Sequence, residues 1–302
     1  MMIYVAHSSC VHADGDGVHS INTQRVIFDD PNDVIVLRHK LAKNMASEEL
    51  ESICAYPRSK VGTEYSVSDA IKAGVYAKSK LKKIVDSKYQ YCSRLVAESF
   101  GHAGIDFSAD PSSCTPADIQ RHPDLKKIDG AVREATPEEL EFAADKSRDT
   151  IYKQTKITNE IIKASQKILG KNVQTFEDIY LELVASPAND EKIESFIQGS
   201  GYLTIWADDV LKCPYRYFKT NYPNDTVIKN LNPDGLRLEL SMAEKDLERF
   251  NIQRLNLSAL NSRFPRKVFE QQINLYQTLV SLALQRQELF RWLLKENGAL
   301  NG

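Results

Sequence analysis

Apolar and polar positions divide the chain into two regimes. Through the first forty residues the apolar runs are too short for helices. Met2-Ile3-Tyr4-Val5-Ala6 predicts a short strand. Asp14-Gly15-Asp16-Gly17 predicts a tight turn, because Asp-Gly pairs supply the positive φ that hairpins need. Val18 to Ile21 and Arg25 to Phe28 follow as short strands, and Asp29-Asp30-Pro31-Asn32-Asp33 as a second turn. Val34-Ile35-Val36-Leu37 is a continuous apolar run, the pattern of a strand buried on both faces. Helical spacing then takes over. A helix is expected at about Ala46 to Cys54, ahead of Pro57, and another over Ser66 to Lys83, with Gly74 inside it. Val96 and Phe100 recur at helical steps after Cys92, whereas Gly101 to Pro123 is rich in Gly, Pro, Ser and Asp and reads as an extended loop.

From Thr136 the character changes. Thr136-Pro137-Glu138-Glu139 supplies an N-cap, a proline at the first helical position and acids in the first turn. A helix is expected from there to Gly170, which fits a C-terminal stop. Further helices are predicted at Thr175–Ala185, Asp190–Gln198, Leu236–Leu260 and Arg266–Asn297. In the last, Phe269, Ile273, Tyr276, Val280, Leu284 and Leu294 recur mostly at three- and four-residue steps. The expected organisation is an α+β domain over residues 1–135 and an α-helical domain over 136–302.

Composition narrows the function classes. Hydrophobic content of 42% with 26% charged residues is that of a soluble globular protein, and a formal net charge of −2 offers no basic field for nucleic acid. Met1 to Ala6 is too short for a signal-peptide core, and no segment approaches the roughly 18 apolar residues of a membrane span. Five scattered cysteines without a CxxC pair argue against a disulfide framework or structural zinc, so a cytoplasmic, reduced chain is expected. No cofactor or metal is expected either. The acidic turns (Asp14, Asp16, Asp29, Asp30, Asp33) lack the calcium-loop pattern, and Gly199-Ser200-Gly201 is not followed by GK[ST]. Lys78 to Lys83 reads as a solvated basic helix face, and Arg286, Arg291 and Trp292 as an amphipathic surface.

The segment Lys88-Tyr89-Gln90-Tyr91-Cys92-Ser93-Arg94-Leu95-Val96 carries the chemistry. A cysteine nucleophile reacts as a thiolate, and unpaired N–H groups at a helix start favour negative charge. Cys92 stands where such a helix begins, before the apolar stripe of Leu95, Val96 and Phe100. The backbone N–H just after it can help to form an oxyanion hole. The plain alternative is a small core residue near a helix start.

Tyr91-Cys92-Ser93-Arg94-Leu95-Val96-Ala97-Glu98-Ser99-Phe100 resembles the nucleophile segment of the circularly permuted, NlpC-type papain-like hydrolases, which include relatives of lecithin:retinol acyltransferase. Val61-Gly62-Thr63-Glu64-Tyr65 resembles the Gly-x-x-Tyr element upstream of the nucleophile. Ala103-Gly104-Ile105-Asp106 and Thr115-Pro116-Ala117-Asp118-Ile119 resemble the loop after the helix, and Val34 to Arg38 the strand ending in Leu-Arg. The likeness covers about residues 1–130. It implies a papain-like domain with a small antiparallel sheet, Cys92 as nucleophile, and Tyr65 and Tyr91 as substrate-binding residues near the cleft.

The resemblance also implies a histidine that precedes the cysteine. His102 and His122 follow Cys92 in loop-like sequence and are expected to be solvated, and His39 to lie at the surface. His12 lies five residues from His7, so in a regular strand the two face opposite sides. His7, at the end of an apolar strand, is the catalytic candidate in two registers. In one, His7 is the general base and His19, across the Asp-Gly turn, orients it. In the other, His7 is the orienting residue and the base lies on a strand preceding Met1. The second fits the downstream spacing better, since Gly17-Val18 matches the small turn of the pattern.

The expected activity is thiol hydrolysis of an amide or ester in a peptide, a peptidoglycan fragment or a lipid, through a Cys92 thioester. The alternative is a catalytically degenerate papain-like scaffold whose helical domain mediates protein–protein contacts.

Overall fold

The computed structural model describes residues 1–6, 8–65 and 90–299 of the chain, so His7 and the helix expected over Ser66 to Lys83 lie outside the described residues. The fold is α+β, with a small antiparallel sheet and a helical C-terminal region. Two compact units divide it: Met1–Ile162 with Asn172–Asp178, and Lys163–Lys171 with Ile179–Gly302.

The first unit opens with strands β1 (Met2–Ala6), β2 (Ser9–Asp14) and β3 (Gly17–Asn22), paired antiparallel in chain order. The Asp-Gly turn fixes the β2–β3 register, with Asp14 opposite Gly17, Ala13 opposite Val18 and His12 opposite His19. Because the side-chain period is two, Val11, Ala13 and Val18 enter the core together and His12 and His19 share the other face. Strand β4 (Leu37–His39) follows, then helices α1 (Ser47–Ser59), α2 (Cys92–Gly101) and α3 (Pro116–Gln120). Strand β5 (Leu125–Lys127) pairs with β4, and α4 (Pro137–Ala144) and α5 (Thr150–Leu169) come next. Leu95, Val96 and Ala97 of α2 and Ile53 of α1 join Ile3, Val5, Val11, Ala13 and Val18 in one core.

A short extended segment joins the hairpin to the cysteine helix. Val18 N–H donates to Thr63 O and Gly62 N–H to Val18 O, both at 2.8 Å. Tyr65 then bridges Gln90 in parallel, with Gln90 N–H donating to Glu64 O at 3.1 Å. Two glycines permit this close pairing. Gly17 has φ +92°, and a Cβ there would sit 2.7 Å from Thr63 O; Gly62 has φ +98°, and its Cβ would collide with Ile162.

Several expectations are corrected. Val34 to Val36 form no strand, and Ile35 and Val36 are exposed; only Leu37–His39 pairs, with β5. Arg25 to Phe28 is not a strand, since Thr23–Arg25 forms a 3-10 turn capped by Asn22. Helix α1 runs through Pro57 to Ser59. The loop expected over Gly101 to Pro123 contains α3, started by a Thr115–Asp118 capping box. The single helix from Thr136 to Gly170 is two, parted where Asp145 accepts from Ser147 N–H and Asp149 from Tyr152 N–H.

The first unit also extends past residue 135. Arg25 donates to Phe142 O at 2.6 Å and to Asp145 O at 2.8 Å, with its guanidinium 4.1 Å over the Phe142 ring. Asn159 donates to Asp16 O at 2.9 Å, and Gln174 Oε1 accepts from Glu64 N–H at 2.8 Å.

The second unit takes most of α6 (Phe176–Ala185), then α7 (Asp190–Gly199), α8 (Trp206–Lys212), α9 (Asp225–Lys229), α10 (Pro233–Arg263) and α11 (Lys267–Asn297). The last two form an antiparallel helical hairpin. Arg286, expected at the surface, is instead buried, donating to Asp246 and Glu239, each at 3.1 Å. Among the described residues no helix is long and apolar enough to cross a membrane.

Candidate functional site

Cys92 is the first residue of α2 and is half-buried. Among the described residues this helix start has no side-chain cap and no acid in its first turn. The first N–H groups of any helix lack intrahelical acceptors and carry partial positive charge, so this turn is suited to a sulfur anion or a developing oxyanion. Two buried cysteines of the first unit differ. Cys114 is 0% exposed, and burial pushes its thiol up to about 11; burial also raises that of Cys10.

A buried polar network clamps the helix from below. Glu98, on α2, accepts from the Tyr56 hydroxyl at 2.5 Å, from Gln90 Nε2 at 2.8 Å and from Arg94 Nε at 2.8 Å. Burial opposes its charge, yet the bonds from Tyr56 and Arg94 win and hold the carboxyl below its ordinary 4.5. Gln90, two residues before Cys92, is thus tied to the helix it precedes. Ser93 Oγ donates to Cys114 O at 2.8 Å and fixes the second residue of the turn.

The two tyrosines part company. Tyr91 is 2% exposed and its hydroxyl donates inward to Ser112 O at 2.6 Å, so its ring packs the helix start and presents no surface to a substrate. Burial raises its phenol well above the ordinary range. Tyr65 is half-buried on the joining segment. Burial raises its phenol, with smaller contributions from Cys92 and Asp14.

At the hairpin, His12 Nε2 and His19 Nε2 face each other at 2.8 Å. Asp14 completes the group, with Oδ2 3.7 Å from His12 Nε2 and Oδ1 3.6 Å from His19 Nδ1. Burial and the neighbouring His19 hold the His12 imidazole below its ordinary range, against the pull of Asp14. Three further described histidines lie elsewhere in the first unit. His39 is 4% exposed, not superficial; His102, exposed as expected, stacks on the Tyr56 ring at 4.3 Å, and half-buried His122 meets the Phe107 ring edge-on at 5.0 Å.

Sequence reasoning reached Cys92, Tyr65 and His19 but treated His12 and Asp14 as incidental. The pairing was legible, because a two-residue turn at Gly15-Asp16 sets 14 opposite 17 and hence 12 opposite 19. Nothing in the sequence pattern singled out Tyr56, Arg94 and Glu98, whose meeting depends on how α1 packs on α2. Compared with known proteins, the chain matches no family model, no curated protein and no solved structure.

Proposed function

We propose that the first unit is a papain-like thiol hydrolase, with Cys92 as nucleophile and the His12–His19 pair as its proton relay. The observation that carries this reading is a helix start with no side-chain cap among the described residues, bearing a half-buried cysteine and packed on a sheet whose histidine pair is joined to it through Thr63 to Tyr65. The Cys92 thiol passes its proton to the histidine pair, and the thiolate attacks the carbonyl carbon of an amide or ester, forming a C–S bond and an oxyanion that the first-turn N–H groups of α2 stabilise. The carbonyl re-forms as the amine or alcohol leaves with a proton from the histidine pair. A water molecule then gives its proton to that pair and attacks the thioester, releasing the acid and the thiolate. Tyr65 lines the approach as a donor to the bound carbonyl group. Peptides, peptidoglycan fragments and acyl lipids all offer the required bond.

A thiol-directed activity probe tests the reading. Labelling of Cys92 far faster than of the other four cysteines, lost in Cys92→Ala, is the expected result. Labelling no faster than that of a free thiol in solution would remove the enzyme and leave the rival reading, a degenerate scaffold for the helical unit.

A further inference from the structure

We infer that His12, Asp14 and His19 form a binding site for a divalent transition ion of the zinc class. Their ligand atoms lie within 4.8 Å of one another on one face of the β2–β3 hairpin. Two imidazoles and one carboxylate are the donor set that zinc and its first-row neighbours favour, whereas calcium and magnesium demand oxygen.

The hydrogen bonds around the three residues set them up as ligands. His19 Nδ1 lies 3.1 Å from Gly17 O, so the network assigns the proton to Nδ1 and leaves the Nε2 lone pair facing His12. An imidazole whose far N–H is anchored on a backbone carbonyl is the usual arrangement of a metal-bound histidine, because the anchor fixes both tautomer and ring orientation. The Asp14 carboxylate is oriented in the same way, accepting from Asp16 N–H at 2.9 Å. His12 then donates from Nε2 to His19, and on binding it needs only to carry its proton on Nδ1 instead.

The distances suit a small ion. Two Zn–N bonds at a tetrahedral angle separate their nitrogens by about 3.3 Å, so the histidine pair at 2.8 Å opens by about half an ångström. The Asp14 oxygen, 3.7 Å from His12 Nε2, closes by a similar amount. The imidazoles are mostly buried while the Asp14 side chain is 45% exposed, which leaves a solvent-facing position for a water ligand. The three ligands span the turn, so an ion staples the hairpin.

One consequence rests on the thiol-hydrolase reading: an ion on both Nε2 lone pairs takes away the proton relay, so zinc would act as a reversible inhibitor of Cys92 chemistry. The site itself does not depend on that reading, and the experiment separates the two. Cobalt(II) is titrated into full-length Cys92→Ala protein and followed by visible absorption. One equivalent should bind with ligand-field bands and no thiolate charge-transfer band, zinc should displace it, and magnesium and calcium should not. His12→Gln and His19→Gln should each weaken binding by about tenfold or more. Asp14→Asn, at the most exposed ligand, keeps the hairpin and should weaken it to a smaller degree. Failure to bind, binding unchanged in all three variants, or a thiolate charge-transfer band would each overturn the site. Probe labelling of wild-type Cys92 in chelator, then with zinc, reads the hydrolase side. Slowing by zinc in wild type that needs a higher zinc concentration in Asp14→Asn supports the inhibitory role, and slowing at the same zinc concentration in both overturns it. No labelling in chelator would sink the hydrolase reading while leaving the cobalt result intact.

Discussion

The first turn of α11, in the helical unit, is filled. Buried Asp190 of α7 accepts from Lys267 N–H at 2.7 Å and from Val268 N–H at 3.1 Å, so a side-chain carboxyl group occupies the positive end of that helix. The first turn of α2, in the sheet-bearing unit, has no side-chain cap among the described residues and carries Cys92. Both starts leave their first N–H groups without intrahelical acceptors and carry a dipole of the same sense. In the helical unit that potential is consumed by structure, as are the buried charges of Arg286, Glu239 and Asp246. In the sheet-bearing unit no side chain caps that turn among the described residues, and on the proposed reading it serves a charge that forms during a reaction. The contrast is local to the two helix starts: one has its first N–H groups bound to a buried carboxylate, and the other has no side-chain cap among the described residues.

Removing the filled cap should give the largest effect. Asp190→Ala strips a buried acceptor from two N–H groups at once, and charge-assisted bonds of this kind contribute about 2–3 kcal/mol together. Asp190→Asn keeps one acceptor and should cost about 1 kcal/mol. The urea midpoint reads both. A loss for Asp190→Ala no greater than that of a surface substitution would mean that the α11 start is satisfied by water, and the contrast between the two helix starts would weaken.

The clamp beneath Cys92 should give an intermediate effect with a pH signature. Glu98→Gln places an amide NH₂ among donors from Tyr56, Gln90 and Arg94 and should cost about 1–2 kcal/mol at neutral pH. The Glu98 carboxyl is held below its ordinary 4.5 in the fold, so the unfolded chain takes up the proton first. The stabilisation is therefore complete above that value and lost as pH falls through it to the lower folded value. Wild type and Glu98→Gln should converge in urea midpoint as the solution is acidified below 4.5, and parallel curves would show that the ionised carboxylate is not what holds the network.

These contrasts also show what the residues announce on their own. The Asp-Gly turn, β1 and the two long C-terminal helices were legible because period and punctuation agree locally and burial follows the same period. Val34 to Val36 misled because an apolar run predicts a strand only if a partner strand arrives, and β5 reaches only Leu37 to His39. The break between α4 and α5 was hidden because helical spacing continues across it, while the deciding acts are the local bonds of Asp145 and Asp149. At the site, Cys92 could be read from one segment, and the His12–His19 pair from turn arithmetic. Tyr91 could not: its sequence position beside Cys92 is the same whether its ring faces a cleft or the core, and packing against the Ser112 loop decides for the core.

The smallest expected effect is the sharpest test of what the α2 start is for. Cys92→Asp puts a fixed negative charge where the proposed reaction makes a transient one. If the first-turn N–H groups there stabilise an anion, the aspartate should raise stability by about 0.5 kcal/mol over Cys92→Ser at low ionic strength, and added salt should shrink the gap. Cys92→Lys, with the opposite charge at the same position, should fall below Cys92→Ser by a similar amount. Urea melts of the three variants at two salt concentrations measure it, with far-UV circular dichroism to verify that α2 and the sheet persist. An aspartate less stable than serine in both salts would mean that this helix start does not favour negative charge. Cys92 would then be a half-buried small residue like any other, and the two helix starts would differ only in which one happens to be capped.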